Sequence, residues 1–319
     1  MVDEPRPTVE TIKSYRSFNI LSLDGGGIRG VLGAVFLDRI QAEHPGFIRN
    51  LDLVVGVSTG GIQALALAAN KHPVVVKELY EKAAKYIFAD AFLDDFRDLW
   101  KSAEANYSNK NLRKLLESQF QGMRLCDLDK KVAIVAFDLD NEDKSRAGLR
   151  AWKPKIFHNY SGYNSDGAEL VVDVALRTAA VPTLFPAHQG YCDGGVVVNN
   201  PSMLALACAL DFSMGGTMLE QVKLLSLGPG KMGHFVKGNN HDWGAPQWAS
   251  KLLYIMLEGS TELINFEAKM VLDDYFHRVD PVLRGTFSLD NWKKIPELVD
   301  LATEYNLEPT FRWIKKNWK

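Results

Sequence analysis

FNILSLDGGGIRG, residues 18–30, is an apolar run, an acid, three glycines and the opening of a helical pattern. Residues 18–23 predict a buried strand, because a short continuous apolar run bounded by a turn signal is covered on both faces. A helix is expected from about residue 30 to 43. Three consecutive glycines allow a sharp turn and expose backbone N–H groups. The helix N-terminus behind them adds partial positive charge. Such a turn suits an anion, either a bound phosphate or a transient oxyanion. Gly25, Gly27 and Gly30 also match G-x-G-x-x-G, so a nucleotide- or phosphate-binding module is one reading. A tight turn with no ligand is another. No Gly-Lys-Ser/Thr follows, which excludes a Walker A loop.

The strand–turn–helix pattern then recurs. Residues 51–56 read as a second strand and an Ala/Leu-rich helix runs to about residue 70. Between them stands Gly56-Val57-Ser58-Thr59-Gly60, G-x-S-x-G in the setting a nucleophile elbow requires. The turn would expose Ser58, and Gly56 and Gly60 would let neighbouring backbone pass. A serine capping a close-packed helix is the plain alternative. A third motif is Asp193-Gly194-Gly195. An acid on a glycine turn can reach into a pocket, although Asp-Gly is also an ordinary turn dipeptide. Together the motifs supply what acyl transfer needs: a nucleophile, a base and preorganised donors.

Further strands are expected at residues 131–137 and 221–227. Helices are expected near 74–84, 110–120, 168–180 and 244–274, and one starts at Asn199-Asn200-Pro201. Apolar strands separated by helices predict an α/β fold, a mostly parallel sheet covered on both faces. The chain has 319 residues, 46% hydrophobic, enough for one large domain. A net charge of −2 offers no global attraction to nucleic acid. Cys126, Cys192 and Cys208 form no C-x-x-C pair, so neither a disulfide framework nor a thiolate zinc site is expected. The N-terminus is polar and acidic, unlike a signal peptide, and no apolar run approaches the ~20 residues of a membrane span. A cytoplasmic protein is the expectation, and any membrane it meets would be met from the aqueous side, as a peripheral membrane protein.

The ordered set DGGGIRG (24–30), GVSTGG (56–61) and DGG (193–195) resembles the patatin-like phospholipases, including their calcium-independent phospholipase A2 branch. RTAAVPTLFP (177–186), the NNP run (199–201) and LSLGPG (225–230) support it. The resemblance implies a three-layer α/β/α sandwich over residues 16–285. A short extension (1–15) would precede it and a helical appendage (286–319) would follow. It also implies a Ser-Asp dyad, with Ser58 as nucleophile and Asp193 as base. Gly25, Gly26 and Gly27 would supply oxyanion donors, with Arg29 nearby and Thr59 and Gly60 as weaker candidates. Gly30, Gly56, Gly60, Gly194 and Gly195 would complete the motifs. No cofactor and no metal is called for. The expected function is a lipid acyl hydrolase, a phospholipase A or lysophospholipase acting through an acyl-enzyme on membrane or micellar lipid. Acyl transfer from the same intermediate is the alternative. Control by an unidentified activator is also expected.

A Ser-acid-His triad would need a histidine after Asp193. The candidates are His234, His241 and His277, none in a strong motif. Phe88, Phe92, Phe96, Leu99 and Trp100 share one helical face, which suits packing on the sheet or a lid. Trp313 and Trp318 among lysines suit either lipid contact or a packed terminal helix.

Overall fold

A computed structural model describes residues 16–88, 105, 107–142, 148–162, 164–233, 235–236 and 242–318. Its centre is one sheet in the order β4-β3-β2-β1-β6-β7. The strands are β1 (Phe18–Leu23), β2 (Leu53–Val57), β3 (Lys131–Asp138), β4 (Lys153–His158), β5 (Tyr191–Asp193), β6 (Val222–Leu227) and β7 (Phe276–Val279). Strands β3, β2, β1 and β6 are parallel, as their apolar runs required, and β7, whose FHRV sequence carries no apolar run and was not expected, adds parallel to β6. β4 and β5 both pair antiparallel with β3. Neither was expected, because β4 is half-exposed and rich in lysine and β5 has only three residues. The pattern rule that finds buried strands passes over both kinds.

Because side chains alternate across a strand, each strand supplies both faces of the sheet. Leu21, Val54, Val132, Ile134 and Leu225 point to one side, where α1 (Val31–Glu43), α2 (Thr59–Ala68), α4 (Lys110–Phe120) and α5 (Val171–Thr178) bury Phe36, Leu65, Leu116 and Val174. Ile20, Leu53, Val55 and Leu224 point to the other, against Ala205 and Ala209 of α6 (Ser202–Leu210) and Ala268 and Leu272 of α7 (Ala245–Leu272). The result is the expected three-layer α/β/α arrangement. α3 (Pro73–Phe88) extends the first layer. Of the aromatic face read at residues 88–100, only Phe88 is described; Phe92, Phe96, Leu99 and Trp100 lie outside the described residues. Among the described residues no helix is long and apolar enough to cross a membrane.

The segment after residue 286 forms α8 (Ile295–Glu304) and α9 (Glu308–Asn317). Leu298, Ala302, Leu307 and Ile314 join the core cluster that covers the first face of the sheet. Arg39 of α1 donates to the carbonyls of Ala302 and Tyr305 at 2.7 and 2.8 Å. Trp318 stacks on Phe47 and donates its indole N–H to the Phe47 carbonyl at 3.2 Å. Trp313 lies on His277 and donates to the Asp274 carbonyl. Both tryptophans are therefore packing residues. Trp318→Ala is expected to cost about 3 kcal/mol of unfolding free energy, the usual scale for a buried Trp. Urea denaturation measures it, and a loss below ~1 kcal/mol would contradict this packing role.

Candidate active site

The site is assembled at one edge of β3. β2 runs beside β3 as far as the pair Val57–Val135. The next residue of β3, Ala136, pairs instead with Asp193 of β5. β5 takes over the edge at the rung where β2 leaves it. Ser58 is the first residue after β2, so the register alone brings Ser58 and Asp193 together.

Ser58 sits at φ 55°, ψ −126°, in left-handed space that an L residue rarely occupies. Three contacts hold it there. Its N–H donates to Thr178 Oγ1 at 2.8 Å, and Thr178 donates on to the Val135 carbonyl at 2.5 Å. α2 starts at Thr59 and packs directly on β1: a Cβ on Gly60 would lie 2.3 Å from the Leu23 carbonyl oxygen. Gly56 is crossed as closely by the Gly60 carbonyl, and Gly194 by the Val135 carbonyl. The motif glycines are thus crossings of backbone on backbone. Thr178 stands within RTAAVPTLFP with no catalytic pattern of its own, and its link to Ser58 spans 120 residues. Local reading gave no signal for it.

Asp193 is fully buried at the mouth of a short helical turn. Its Oδ1 accepts from the Gly195 N–H at 2.7 Å, while Oδ2 has no hydrogen-bond partner. Burial pushes the carboxyl up to about 7; the nearby Ser58 hydroxyl and the Gly195 N–H pull the other way. The Ser58 hydroxyl exerts this pull without completing a standard hydrogen bond to Oδ2. No cation contributes to the balance.

The glycine loop is clamped at both ends. The Asp24 N–H donates to the Leu227 carbonyl at 3.1 Å, and its carboxylate accepts two bonds from Arg278 at 3.1 and 2.6 Å. Ile28 N–H donates to the Leu289 carbonyl at 2.9 Å. Gly25 needs correction as an oxyanion donor: its N–H donates to the Asn199 carbonyl at 3.1 Å, and Asn199 Nδ2 donates back to the Gly25 carbonyl. Gly25 is an anchor. Among the described residues, Gly26 and Gly27 keep N–H groups with no intramolecular acceptor. Gly27 has φ +57°, and a Cβ there would lie 2.2 Å from the Leu289 carbonyl oxygen. Arg29 is buried and lines the same cavity, but its guanidinium is directed to Glu258 at 3.2 Å and the Gly230 carbonyl at 3.4 Å. Gly30 packs under Tyr80 and Thr59, and Gly195 beside Leu257.

Two cavities meet at Ser58. The smaller holds Gly25, Gly26, Gly27, Arg29, Ser58, Asp193, Asn199 and Leu257. The larger encloses about 820 Å³ of atom-free space, its open mouth included. Its walls are apolar: Ile62 of α2, Val76 and Leu79 of α3, Leu112 and Leu116 of α4, and Val181, Leu184 and Phe185 after α5. Gly27, Ser58, Val181 and Leu289 belong to both. A polar chamber therefore opens into an apolar channel at the nucleophile motif. No described histidine lines either cavity. His277 is engaged by Thr310 and Trp313, and His234 and His241 lie outside the described residues.

The model of the patatin-like phospholipase family matches residues 21–206. Protein teg of Priestia megaterium is 28% identical over 94% of this chain and 99% of its own length. A cGAMP-activated phospholipase of Vibrio cholerae is 30% identical over 85% of this chain and 78% of its own. Patatin-like protein 2 of Arabidopsis thaliana is 26% identical over 96% and 84%. With the family match covering more than half of the chain, and with an α/β/α fold that carries all three motifs, the protein belongs to the patatin-like phospholipase family of lipid hydrolases.

Proposed function

We propose that the protein cleaves the acyl ester bonds of phospholipids with a Ser58–Asp193 dyad. The observation that carries this reading is the junction itself, a serine shared by an apolar channel and a small chamber that holds a buried carboxyl. The channel is walled by apolar side chains from α2, α3 and α4, the lining an acyl chain calls for. An acyl chain fills it, and the scissile carbonyl then lies over Ser58 Oγ.

Asp193 Oδ2 takes the Ser58 proton as Oγ bonds to the carbonyl carbon. The oxyanion faces the free N–H groups of Gly26 and Gly27, aided by the α2 N-terminus behind Ser58. Collapse breaks the ester C–O bond, and the proton on Asp193 passes to the departing lysolipid oxygen. A water then gives its proton to Asp193 and attacks the acyl-enzyme. The Ser58 C–O bond breaks, the fatty acid leaves and Ser58 recovers its proton. Every proton returns, and the residues end as they began. Arg29 serves indirectly, tying the loop to Glu258 of α7.

Ser58→Ala and Asp193→Asn are each expected to lower kcat/KM on a soluble nitrophenyl ester by on the order of 10⁴-fold, with the fold intact by circular dichroism. A fluorophosphonate probe should label Ser58 alone. Retained turnover, or labelling elsewhere, would overturn the assignment.

The pH dependence has a definite sign. Asp193 must be ionised to act as base and its carboxyl is held up near 7, so kcat/KM should rise as pH climbs through about 7 and then level. Stability runs the other way. Between the ordinary carboxylate range and about pH 7 only the folded chain keeps this proton, so stability falls as pH rises across that window. Asp193→Asn should remove one group's share of this slope and leave that of Asp24, which burial also holds up to about 7, as measured by urea denaturation at stepped pH.

Thr178 acts as a positioning residue. Thr178→Val keeps the shape but strands the Ser58 N–H and the Val135 carbonyl, each a buried group worth about 1–3 kcal/mol. kcat should drop roughly tenfold with KM little changed, an effect of about 1.4 kcal/mol on the barrier. Thr178→Ser keeps the hydroxyl and should restore it. A valine variant with full kcat would remove Thr178 from the reading.

A further inference from the structure

α7 is apolar on two opposite faces. Its inner face buries Leu257, Ala268 and Leu272. Leu257 lines the dyad cavity and Glu258 holds Arg29 of the glycine loop. With 3.6 residues per turn, Leu252, Ile255, Met256, Leu263, Phe266 and Met270 fall within about 100° of arc, opposite that inner face. Each of the six is between 44% and 69% exposed. A surface helix ordinarily turns charge to this side. Single exposed apolar residues need no account, but a stripe about 27 Å long marks an interaction surface.

The edges of the stripe identify its partner. Lys231 pairs with Glu262 at 2.7 Å and Lys269 with Asp273 at 2.8 Å. The charges beside the stripe cancel one another, so it offers little attraction to an anionic surface. One helix face of this length and about 10 Å width covers roughly 300 Å², well below the ~800 Å² per partner that a stable protein interface buries. A lipid interface sets no such minimum, because a narrow apolar face is enough to seat at the headgroup–acyl boundary. The same helix also walls the dyad chamber, where Ser58 is only 6% exposed. A lipid leaving its neighbours for that chamber would start from the surface on which α7 rests.

We propose that the outer face of α7 is the interfacial docking surface of the protein, and that it seats on aggregated zwitterionic phospholipid. This rests on the phospholipase reading for its purpose, though not for its test. Leu263→Glu/Phe266→Glu is the informative double variant, with Leu252→Glu/Met256→Glu as an independent pair on the same stripe. Both pairs are exposed, so the fold should stand. Wild-type protein should cosediment with phosphatidylcholine vesicles, with little change between low and high salt. Each double variant should lose most of that binding. Turnover of vesicle lipid should fall at least tenfold, while turnover of a soluble short-chain ester stays at the wild-type level. Vesicle binding unchanged in both variants would overturn the proposal. So would a wild-type dimer, seen by analytical ultracentrifugation, that the variants convert to monomer, since the stripe would then be covered by a second copy. Vesicle binding is read without turnover, so absence of soluble-ester hydrolysis in the wild type would count against the dyad alone.

Discussion

The site depends on how one edge of β3 is shared. β2 occupies it through Val135, and β5 occupies it from Ala136 onward. Had β2 continued, Ser58 would be a strand residue with its hydroxyl committed to one face of the sheet. Because β2 stops, the chain must turn away at once, and Ser58 is placed in left-handed backbone space. That conformation carries a cost of order 1–3 kcal/mol and persists only where the surroundings over-determine it. Here they are the Thr178 hydroxyl on the Ser58 N–H and the packing of Gly60 on the Leu23 carbonyl. The rung vacated by β2 is the one that positions Asp193. Elbow and carboxyl are two consequences of a single strand ending.

Two buried acids lie near this edge, and their surroundings separate them. Burial pushes both Asp24 and Asp193 up to about 7. Asp24 gives both oxygens to Arg278, which is also held by Asp280 and stays firmly protonated. Its role is to anchor the start of the glycine loop. Asp193 has no counter-ion, and one of its oxygens is free. What separates them is therefore geometry: both Asp24 oxygens are taken by Arg278, whereas Asp193 keeps Oδ2 open to accept a proton. The same side-chain type thus serves as a clamp at one position and, in the proposed dyad, as the base at the other, by virtue of one arginine on β7.

What was legible in the sequence is what is local. The strand–glycine–helix turn at 18–30 and the elbow at 56–60 carry their geometry in a few neighbouring residues, and both fold as read. Asn200 likewise accepts the Ser202 N–H at the start of α6, close to the expected cap. The order of the three motifs placed the chain in its family. The rest is made of long-range contacts. Thr178 reaches Ser58 across 120 residues, and Asn199 reaches Gly25 across 174. The Asn199 carbonyl takes up the Gly25 N–H and leaves those of Gly26 and Gly27 without an intramolecular acceptor among the described residues: the glycine triplet shows which N–H groups can be exposed, and only its packing partner decides which one is used up. The apolar channel draws on α2, α3, α4 and the segment after α5, so no single periodicity announces it. β5 is too short to have a pattern at all.

The channel and the base are also coupled. Val181 and Leu289 line both cavities, and Leu257 closes the dyad side. These walls keep water from Asp193 and so hold its carboxyl near 7 rather than in the usual carboxylate range. An acyl chain entering from the channel side would extend the same apolar wall and expel water from the junction at Ser58. Removing that water strengthens each electrostatic contact in the chamber, including those from Gly26 and Gly27 to a developing oxyanion. It also makes the ionised form of Asp193 a stronger base toward the Ser58 hydroxyl. Under the proposed reading, the apolar surface that would take the acyl chain also sets the proton affinity of the residue that would activate the nucleophile, which gives a physical reason for a long-chain ester to be a better substrate than its chain length alone would make it.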